Sequence, residues 1–323
     1  PAEKMVFSGV GKQEHEIRYA LESGILMFNV ESLQELHRID RCAADLNKRA
    51  PVALRVNPDV DPQTHPYIST GLKKNKFGIN SDAVIEAYRT ANAYDHVDVI
   101  GVSCHIGSQI TQVGPFVNAL ERIKVLIGSL EGMGIRISYL DMGGGLGITY
   151  DQELPPHPKE YGQAVMETLG DLSVTPIFEP GRVIVGNAGI LVTRVLYTKE
   201  GADRSFVVVD SAMNDLVRPS LYDAYHGIEP VVKSDRDVIS ADVVGPICET
   251  GDFLAKNRRI GRCEPGELLA VMSSGAYGFT MSSNYNSRPR VAEVMVKENA
   301  FQVVRARETY EDLVHGESIP DFF

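Results

Sequence analysis

Hydrophobic positions follow two regimes along the chain. Up to about residue 188, short apolar runs alternate with stretches of three- and four-residue periodicity; beyond it the helical period stops. The runs KMVFSG (4–9), ILMFNV (25–30), VALRV (52–56), VDVIGVSC (97–104), ISYLDM (137–142) and VTPIF (174–178) read as strands. Between them, Ile17, Ala20 and Leu21 share one helical face that ends at Gly24, and Leu33, Leu36, Ile39, Ala43 and Leu46 share another. After a long polar loop, further helices are predicted from Ser81, a good N-cap type, from about Pro115 to Glu131, and near 159–171. Near-continuous apolar strands separated by helices require parallel strands covered on both faces.

A doubly wound sheet and a barrel both satisfy that pattern, and the polar motifs choose between them. VNP, CHIGSQ, MGGG and FEPGR each sit directly after a strand. Function gathered at many C-terminal strand ends belongs to a (β/α)8 barrel. Six of its eight strands are present in residues 1–188, and the other two would lie upstream of Pro1. After Gly189, seven runs (ILVTRVLYT, RSFVVVD, EPVVK, DVISADVV, ELLAVMSSG, RVAEVMVKE and FQVVRAR) predict an antiparallel β domain over 189–323. The expected fold is therefore α/β plus all-β.

Composition narrows the partners. With 43% hydrophobic and 23% charged residues and a formal charge of −11, the chain is unsuited to nucleic acid or an anionic membrane surface. No apolar run approaches the roughly 18 residues of a membrane span. Cys42, Cys104, Cys248 and Cys263 form no C-x-x-C pair, which predicts reduced thiols in a cytoplasmic protein rather than a disulfide framework or a metal site.

Candidate chemistry lies in the loops. Gly143, Gly144 and Gly145 in LDMGGGLGI let backbone N–H groups approach an anion, although glycine-rich turns of this kind are also common scaffolding. In FEPGR, Pro180 and Gly181 force a turn, Arg182 adds a forked cation and Glu179 a carboxylate; a solvated turn with an ion pair is the plainer reading. His105 at another strand end is either structural or a stacking partner for an aromatic ring, and Arg55 is either a barrel-mouth cation or structural. A phosphate site, a ring partner and a carboxylate together suggest pyridoxal phosphate, whose pyridine nitrogen needs an acidic partner. GGGLG lacks the G-x-G-x-x-G spacing of a nicotinamide site. Arg218 and Tyr222, four apart, and Tyr277 in SSGAYGF add polar groups on β-domain loops. Cys248 in GPICETGDFL is by residue type either an inert thiol or a proton donor.

Taken together, FSGVGK, LRVNPDVDPQTHPYISTGLKKNKFG, HIGSQI, DMGGGLGI, EPGR, MNDLVRPSLY, GPICETGD and GAYG resemble the alanine-racemase-type barrel decarboxylases. Within them they resemble the branch that acts on meso-diaminopimelate, over essentially the whole chain and in the family's order. The resemblance implies decarboxylation of meso-2,6-diaminopimelate to L-lysine with pyridoxal 5′-phosphate. It implies that Gly143, Gly144, Gly145 and the Glu179–Arg182 turn hold the cofactor, with Glu179 at the ring nitrogen and His105 stacked on the ring. It places Arg182, Arg218 and Tyr222 on the substrate's far carboxylate, Glu249 on its distal ammonium, and Tyr277 between cofactor and substrate. Cys248 would be the proton donor, reaching the partner's active site in a homodimer; a thiol keeps its proton at neutral pH yet is acidic enough to release it.

One departure matters. The family's Schiff-base lysine lies in a KAN-like motif on the first barrel strand, and no such motif occurs here; Lys12 stands at a different family position. The expectation is a chain lacking its N-terminal segment, inactive by itself. Two alternatives stay open: an ornithine/arginine-type decarboxylase, which needs no arginine for a second carboxylate, and a non-catalytic regulatory homologue.

Overall fold

Strand β1 (Val6–Phe7) is followed by helix α1 (Glu14–Ser23), β2 (Met27–Val30), α2 (Leu33–Asp45) and β3 (Ala50–Asn57). Then come β4 (Ile79–Asn80), α3 (Val84–Asn92), β5 (Val97–Ser103), α4 (Gly114–Gly132), β6 (Tyr139–Asp141), α5 (Pro158–Leu169) and β7 (Thr175–Ile177). The computed structural model describes residues 1–61, 76–201, 204–233 and 235–322. Much of the polar loop before Ser81, and with it part of the LRVNPDVDPQTHPYISTGLKKNKFG motif, lies outside the described residues. Two compact units emerge: Pro1–Ile148 with Leu154–Gly181, and Thr149–Glu153 with Arg182–Phe323.

In the first unit the sheet order is β1-β2-β3-β5-β6-β7, every pairing parallel, with the short β4 added beside the end of β3. Each strand lies beside the next in sequence, without the reversal of order that a doubly wound sheet requires. Six sequential parallel strands form the larger part of a (β/α)8 barrel, as the polar motifs at the strand ends indicated. All four residues of β2 are buried, which accounts for a run that is apolar except at Asn29. Helix α1 starts in a Gln13–Glu16 capping box and stops at Gly24, whose φ of 68° is left-handed; its buried stripe is Ile17, Ala20 and Leu21. Helix α4 opens with Pro115 in its first turn and buries Phe116, Ala119, Leu120, Ile123, Leu126, Ile127 and Leu130. Ser81 does not cap α3: it sits in a turn closed by Ala83 N–H on the Asn80 carbonyl (2.9 Å), so the helix begins at Val84.

The second unit contains α6 (Arg182–Val185), β8 (Leu191–Glu200), β9 (Ser205–Val209), α7 (Arg218–Tyr222), β10 (Ile228–Pro230) and β11 (Val238–Val244). It continues with β12 (Phe253–Gly261), β13 (Leu268–Val271), the hairpin β14 (Glu293–Lys297) and β15 (Ala300–Arg305), and α8 (Tyr310–Leu313). The main sheet runs β10-β13-β8-β9-β11-β12 over a core of Val195, Val207, Val209, Leu216, Val243, Leu254, Leu269 and Val271. Two features differ from the sequence-based expectation. Strand β12 was not expected, because FLAKNRRIG turns polar after three apolar residues; it pairs with β11 through register shifts, with Asn257 left-handed at φ 47°. The sheet is antiparallel save for β9 with β11, which pair in parallel; the long connection carrying α7 and β10 makes that crossover possible. No helix among the described residues is long and apolar enough to cross a membrane.

Candidate active site

The strand ends of the first unit converge on a cavity of about 120 Å³ lined by Ser8, Asn29, Arg55, Ser103, Cys104, His105, Gly144 and Glu179. Its floor is a chain of hydrogen bonds. Asn29 Nδ2 donates to Asp141 Oδ2 (2.7 Å) and to Ser8 Oγ (2.9 Å), and Ser8 Oγ donates to Glu179 Oε1 (2.8 Å). Asp141 is wholly buried and accepts a further bond on Oδ1 from Gly143 N–H (2.9 Å). Burial pushes its carboxyl up to about 7, the Glu179 carboxylate adds to that, and the Asn29 and Gly143 donors oppose it.

The glycine run is dictated by close approach. A Cβ on Gly144 would sit 2.3 Å from the Glu179 carbonyl oxygen, and one on Gly143 (φ 65°) 2.6 Å from the Cys104 carbonyl. These glycines lock the β5, β6 and β7 ends together. The expectation that the loop offers its N–H groups to an anion is thereby narrowed: Gly143 N–H goes to Asp141 and Gly144 N–H to His105 Nδ1 (3.1 Å). Gly145 holds the loop through its carbonyl, which accepts Ile110 N–H (2.9 Å), and its own N–H makes no hydrogen bond among the described residues. Pro180 and Gly181 follow Glu179 and are exposed.

His105 accepts the Gly144 N–H on Nδ1, so its proton sits on Nε2, and burial followed by the nearby Arg55 cation pushes the imidazole down to about 4. Arg55 unites both sequence readings: Nη1 pairs with Glu31 (2.7 Å), while Nη2 is buried without a hydrogen-bond partner among the described residues. Asn29 Oδ1 and Ser103 Oγ are likewise buried and unpartnered among them. Three orphaned polar atoms beside an open cavity are costly unless a polar occupant satisfies them. An aromatic, polar, phosphate-bearing molecule such as pyridoxal phosphate fits this donor and acceptor set. Lys12, in contrast, is turned away from the cavity: its ammonium donates to the Gly9 carbonyl (2.8 Å), the Asn29 carbonyl (2.7 Å) and Glu35 Oε1 (2.7 Å), which accounts for all three protons.

The second unit carries a separate cluster of cations and rings. Arg182 opens α6 and is buried; Nη1 donates to Tyr150 OH (2.5 Å), and the guanidinium lies over the Tyr277 ring at 4.6 Å. Arg218 opens α7, is 6% exposed, and lies over the Tyr150 ring at 4.4 Å. Tyr222 follows one helical turn later and is among its electrostatic neighbours, with Tyr277. Burial, then the like charge of Arg182, works against the Arg218 cation, and among the described residues Arg218 makes no ion pair. Tyr277 takes φ 57°, a left-handed conformation that costs a non-glycine residue free energy.

Cys248 and Glu249 sit on the exposed loop between β11 and β12. The loop is stapled from inside by Asp252, which accepts Ile247 N–H on Oδ2 (2.7 Å) and Met213 N–H on Oδ1 (2.7 Å). Tyr285 OH donates to Glu249 Oε2 (2.5 Å). Cys248 makes no hydrogen bond among the described residues.

The expected site residues thus fall into three groups: His105, the glycines and Glu179 around the cavity; Arg182 and Arg218 over Tyr150, with Tyr277 against Arg182 and Tyr222 near Arg218; and Cys248 with Glu249. Sequence reasoning missed Ser8, Asn29, Asp141, Tyr150 and His226, which serve the first two groups. Asn29 carried a signal, as a polar residue inside an otherwise apolar run.

Two buried imidazoles set an acid limit on stability. His105 and His226 are both pushed down to about 4, chiefly by burial. Between the ordinary imidazole value and that one, the unfolded chain binds protons that the folded chain refuses. Their contribution is complete above pH ~6.5 and lost as pH falls toward ~4, at most about 3 kcal/mol each. Asp141 acts in the opposite direction, since its raised carboxyl gains stability as pH drops below about 7. The His226 part is isolated by substitution: His226→Gln is expected to lose less of its urea midpoint than the wild type between about pH 6.5 and about pH 4.5; identical pH profiles would contradict the burial of a neutral imidazole there.

Comparison with known proteins agrees with this geometry. The pyridoxal binding domain of pyridoxal-dependent decarboxylases matches residues 1–186. The diaminopimelate decarboxylase of Pseudomonas aeruginosa is 56% identical over 316 residues, covering 98% of this chain and 76% of its own length. The crystal structure of diaminopimelate decarboxylase from Helicobacter pylori complexed with L-lysine superposes with a TM-score of 0.92 at 42% identity, over 96% of this chain and 77% of that one. The enzyme of M. jannaschii in co-complex with L-lysine gives 0.94 at 37% identity, over 100% and 76%.

Proposed function

The chain belongs to the pyridoxal-dependent decarboxylases, and on that premise we propose that it converts meso-2,6-diaminopimelate to L-lysine and CO2, the last step of lysine biosynthesis. The observation that carries the substrate is the buried Arg218, stacked on Tyr150 beside Arg182 and without an ion pair among the described residues. Diaminopimelate keeps a second carboxylate after the first leaves as CO2, and a forked cation suits it. Ornithine and arginine have no such group.

Pyridoxal 5′-phosphate, when bound, supplies a ring that takes up the electron pair left on the carbon that loses CO2. The residues of this chain do the rest. Glu179, held by the Ser8 hydroxyl among the cavity-lining residues, would serve the ring nitrogen. His105 would hold the ring, and Gly143, Gly144, Gly145, Pro180, Gly181 and Arg182 would hold the phosphate. Arg182, Arg218 and Tyr222 bind the far carboxylate, Glu249 the distal ammonium, and Tyr277 stands by both cofactor and substrate. Cys248 Sγ moves its proton to the carbon that has lost CO2, in the active site of a second copy of the chain, so the protein works as a homodimer. The exposure of the Cys248–Glu249 loop supports that role, and the unbridged cysteines suit a cytoplasmic enzyme.

No lysine lines the cavity among the described residues, and Lys12 is fully occupied elsewhere. Lys12 is therefore not expected to carry the cofactor. Borohydride treatment with pyridoxal phosphate is expected to leave Lys12 unmodified by mass spectrometry. A pyridoxyl group on Lys12 would contradict the assignment.

A further inference from the structure

His226 is completely buried, and both ring nitrogens are committed. Nδ1 lies 2.8 Å from the Met272 carbonyl oxygen, which only accepts, so Nδ1 carries the proton. Nε2 lies 2.7 Å from Arg218 Nη1, which only donates, so Nε2 presents its lone pair. The imidazole is thus fixed as one neutral tautomer. The charged groups around it are all cations: Arg218 at Nε2, Arg258, whose Nη1 donates to the His226 carbonyl (2.5 Å), and Arg182. The Tyr150 ring packs edge-on at 5.2 Å. Burial and these cations push the imidazole down to about 4, so it stays neutral at working pH.

The choice of a neutral acceptor has a consequence. Buried arginines are commonly anchored by carboxylates, which fix the guanidinium but cancel its charge. A neutral imidazole fixes it and leaves the charge for a ligand. We propose that His226 is a positioning residue for the substrate's far carboxylate, aiming Arg218 through a tautomer-locked lone pair without neutralising it. This rests on the reading that Arg218 binds that carboxylate.

The test compares His226→Gln, His226→Glu and His226→Leu in the natural protein loaded with pyridoxal phosphate. Binding of L-lysine is measured by calorimetry against 1,5-diaminopentane, the same diamine without a carboxylate. His226→Gln keeps a neutral acceptor and is expected to hold L-lysine within about threefold of wild type. His226→Glu and His226→Leu are expected to weaken L-lysine by at least about tenfold while 1,5-diaminopentane is unchanged, and to raise KM more than they lower kcat. L-Lysine binding by His226→Glu equal to wild type, or an equal loss for both ligands, would overturn the proposal. If the variants fail to fold, nitrogen-15 NMR of the wild-type ring decides. A neutral ring protonated on Nδ1 from about pH 5 to 8 supports the proposal, and an Nε2-protonated or charged ring at about pH 6 overturns it. Arg218→Met with intact L-lysine affinity would remove the reading of Arg218 itself. A weakened Arg218→Met with a normal His226→Glu would remove only this inference.

Discussion

Cys248→Ala is expected to lower kcat of the natural protein by roughly 100- to 10,000-fold, the range of a positioned general acid, with affinity for pyridoxal phosphate unchanged. The loop geometry makes the experiment clean. Cys248 is exposed and makes no hydrogen bond among the described residues, so removing its sulfur leaves the Asp252 staple with Ile247 and Met213 intact. An exposed residue of this kind shifts stability by no more than about 0.5 kcal/mol. Loss of turnover without loss of folding or cofactor would therefore report the proton alone. Cys248→Ser keeps the size but offers a far weaker acid, and is expected to fall near the alanine variant. Near-full activity in Cys248→Ala would show that another group delivers the proton.

Arg218→Met is expected to raise KM, and the dissociation constant for L-lysine, about 100-fold, which is about 3 kcal/mol. The guanidinium is buried over Tyr150 and makes no ion pair among the described residues, so its charge is available to a carboxylate. Methionine keeps the apolar stem and removes the fork. The variant also leaves His226 Nε2 without its donor, and an unsatisfied buried acceptor costs about 1–3 kcal/mol of stability. The two effects separate by ligand: stability falls with or without L-lysine, whereas affinity for 1,5-diaminopentane stays put. Arg218→Lys retains the charge but cannot grip two oxygens at once, and should lie between wild type and methionine. An unchanged KM beside a lowered melting temperature would make Arg218 structural.

The barrel strands were legible because burial on both faces forces nearly continuous apolar runs, as in β2, whose four residues are all buried and only Asn29 is polar. Strand β12 was not, because only Phe253, Leu254 and Ala255 are apolar and buried before the strand turns to solvent. The parallel pairing of β9 with β11 is set by a crossover whose path no local pattern records. In the site, the loop motifs announced Glu179, His105 and the glycines, since polar and glycine residues directly after a strand are conspicuous. The supporting groups were hidden. Asp141 reads as the end of an apolar run, yet it is the buried acceptor of Asn29 and Gly143. His226 ends a stretch noted for Arg218 and Tyr222, but its role depends on the Met272 carbonyl, 46 positions along the chain. Such residues act through neighbours that only the folded chain supplies.

The most direct test of the central claim gives the natural protein, with pyridoxal phosphate, meso-diaminopimelate, ornithine and arginine in separate reactions in heavy water. Turnover of diaminopimelate alone is predicted, with CO2 and L-lysine in equal amounts and one deuterium on the carbon that lost its carboxylate. CO2 from ornithine or arginine with none from diaminopimelate would contradict the account.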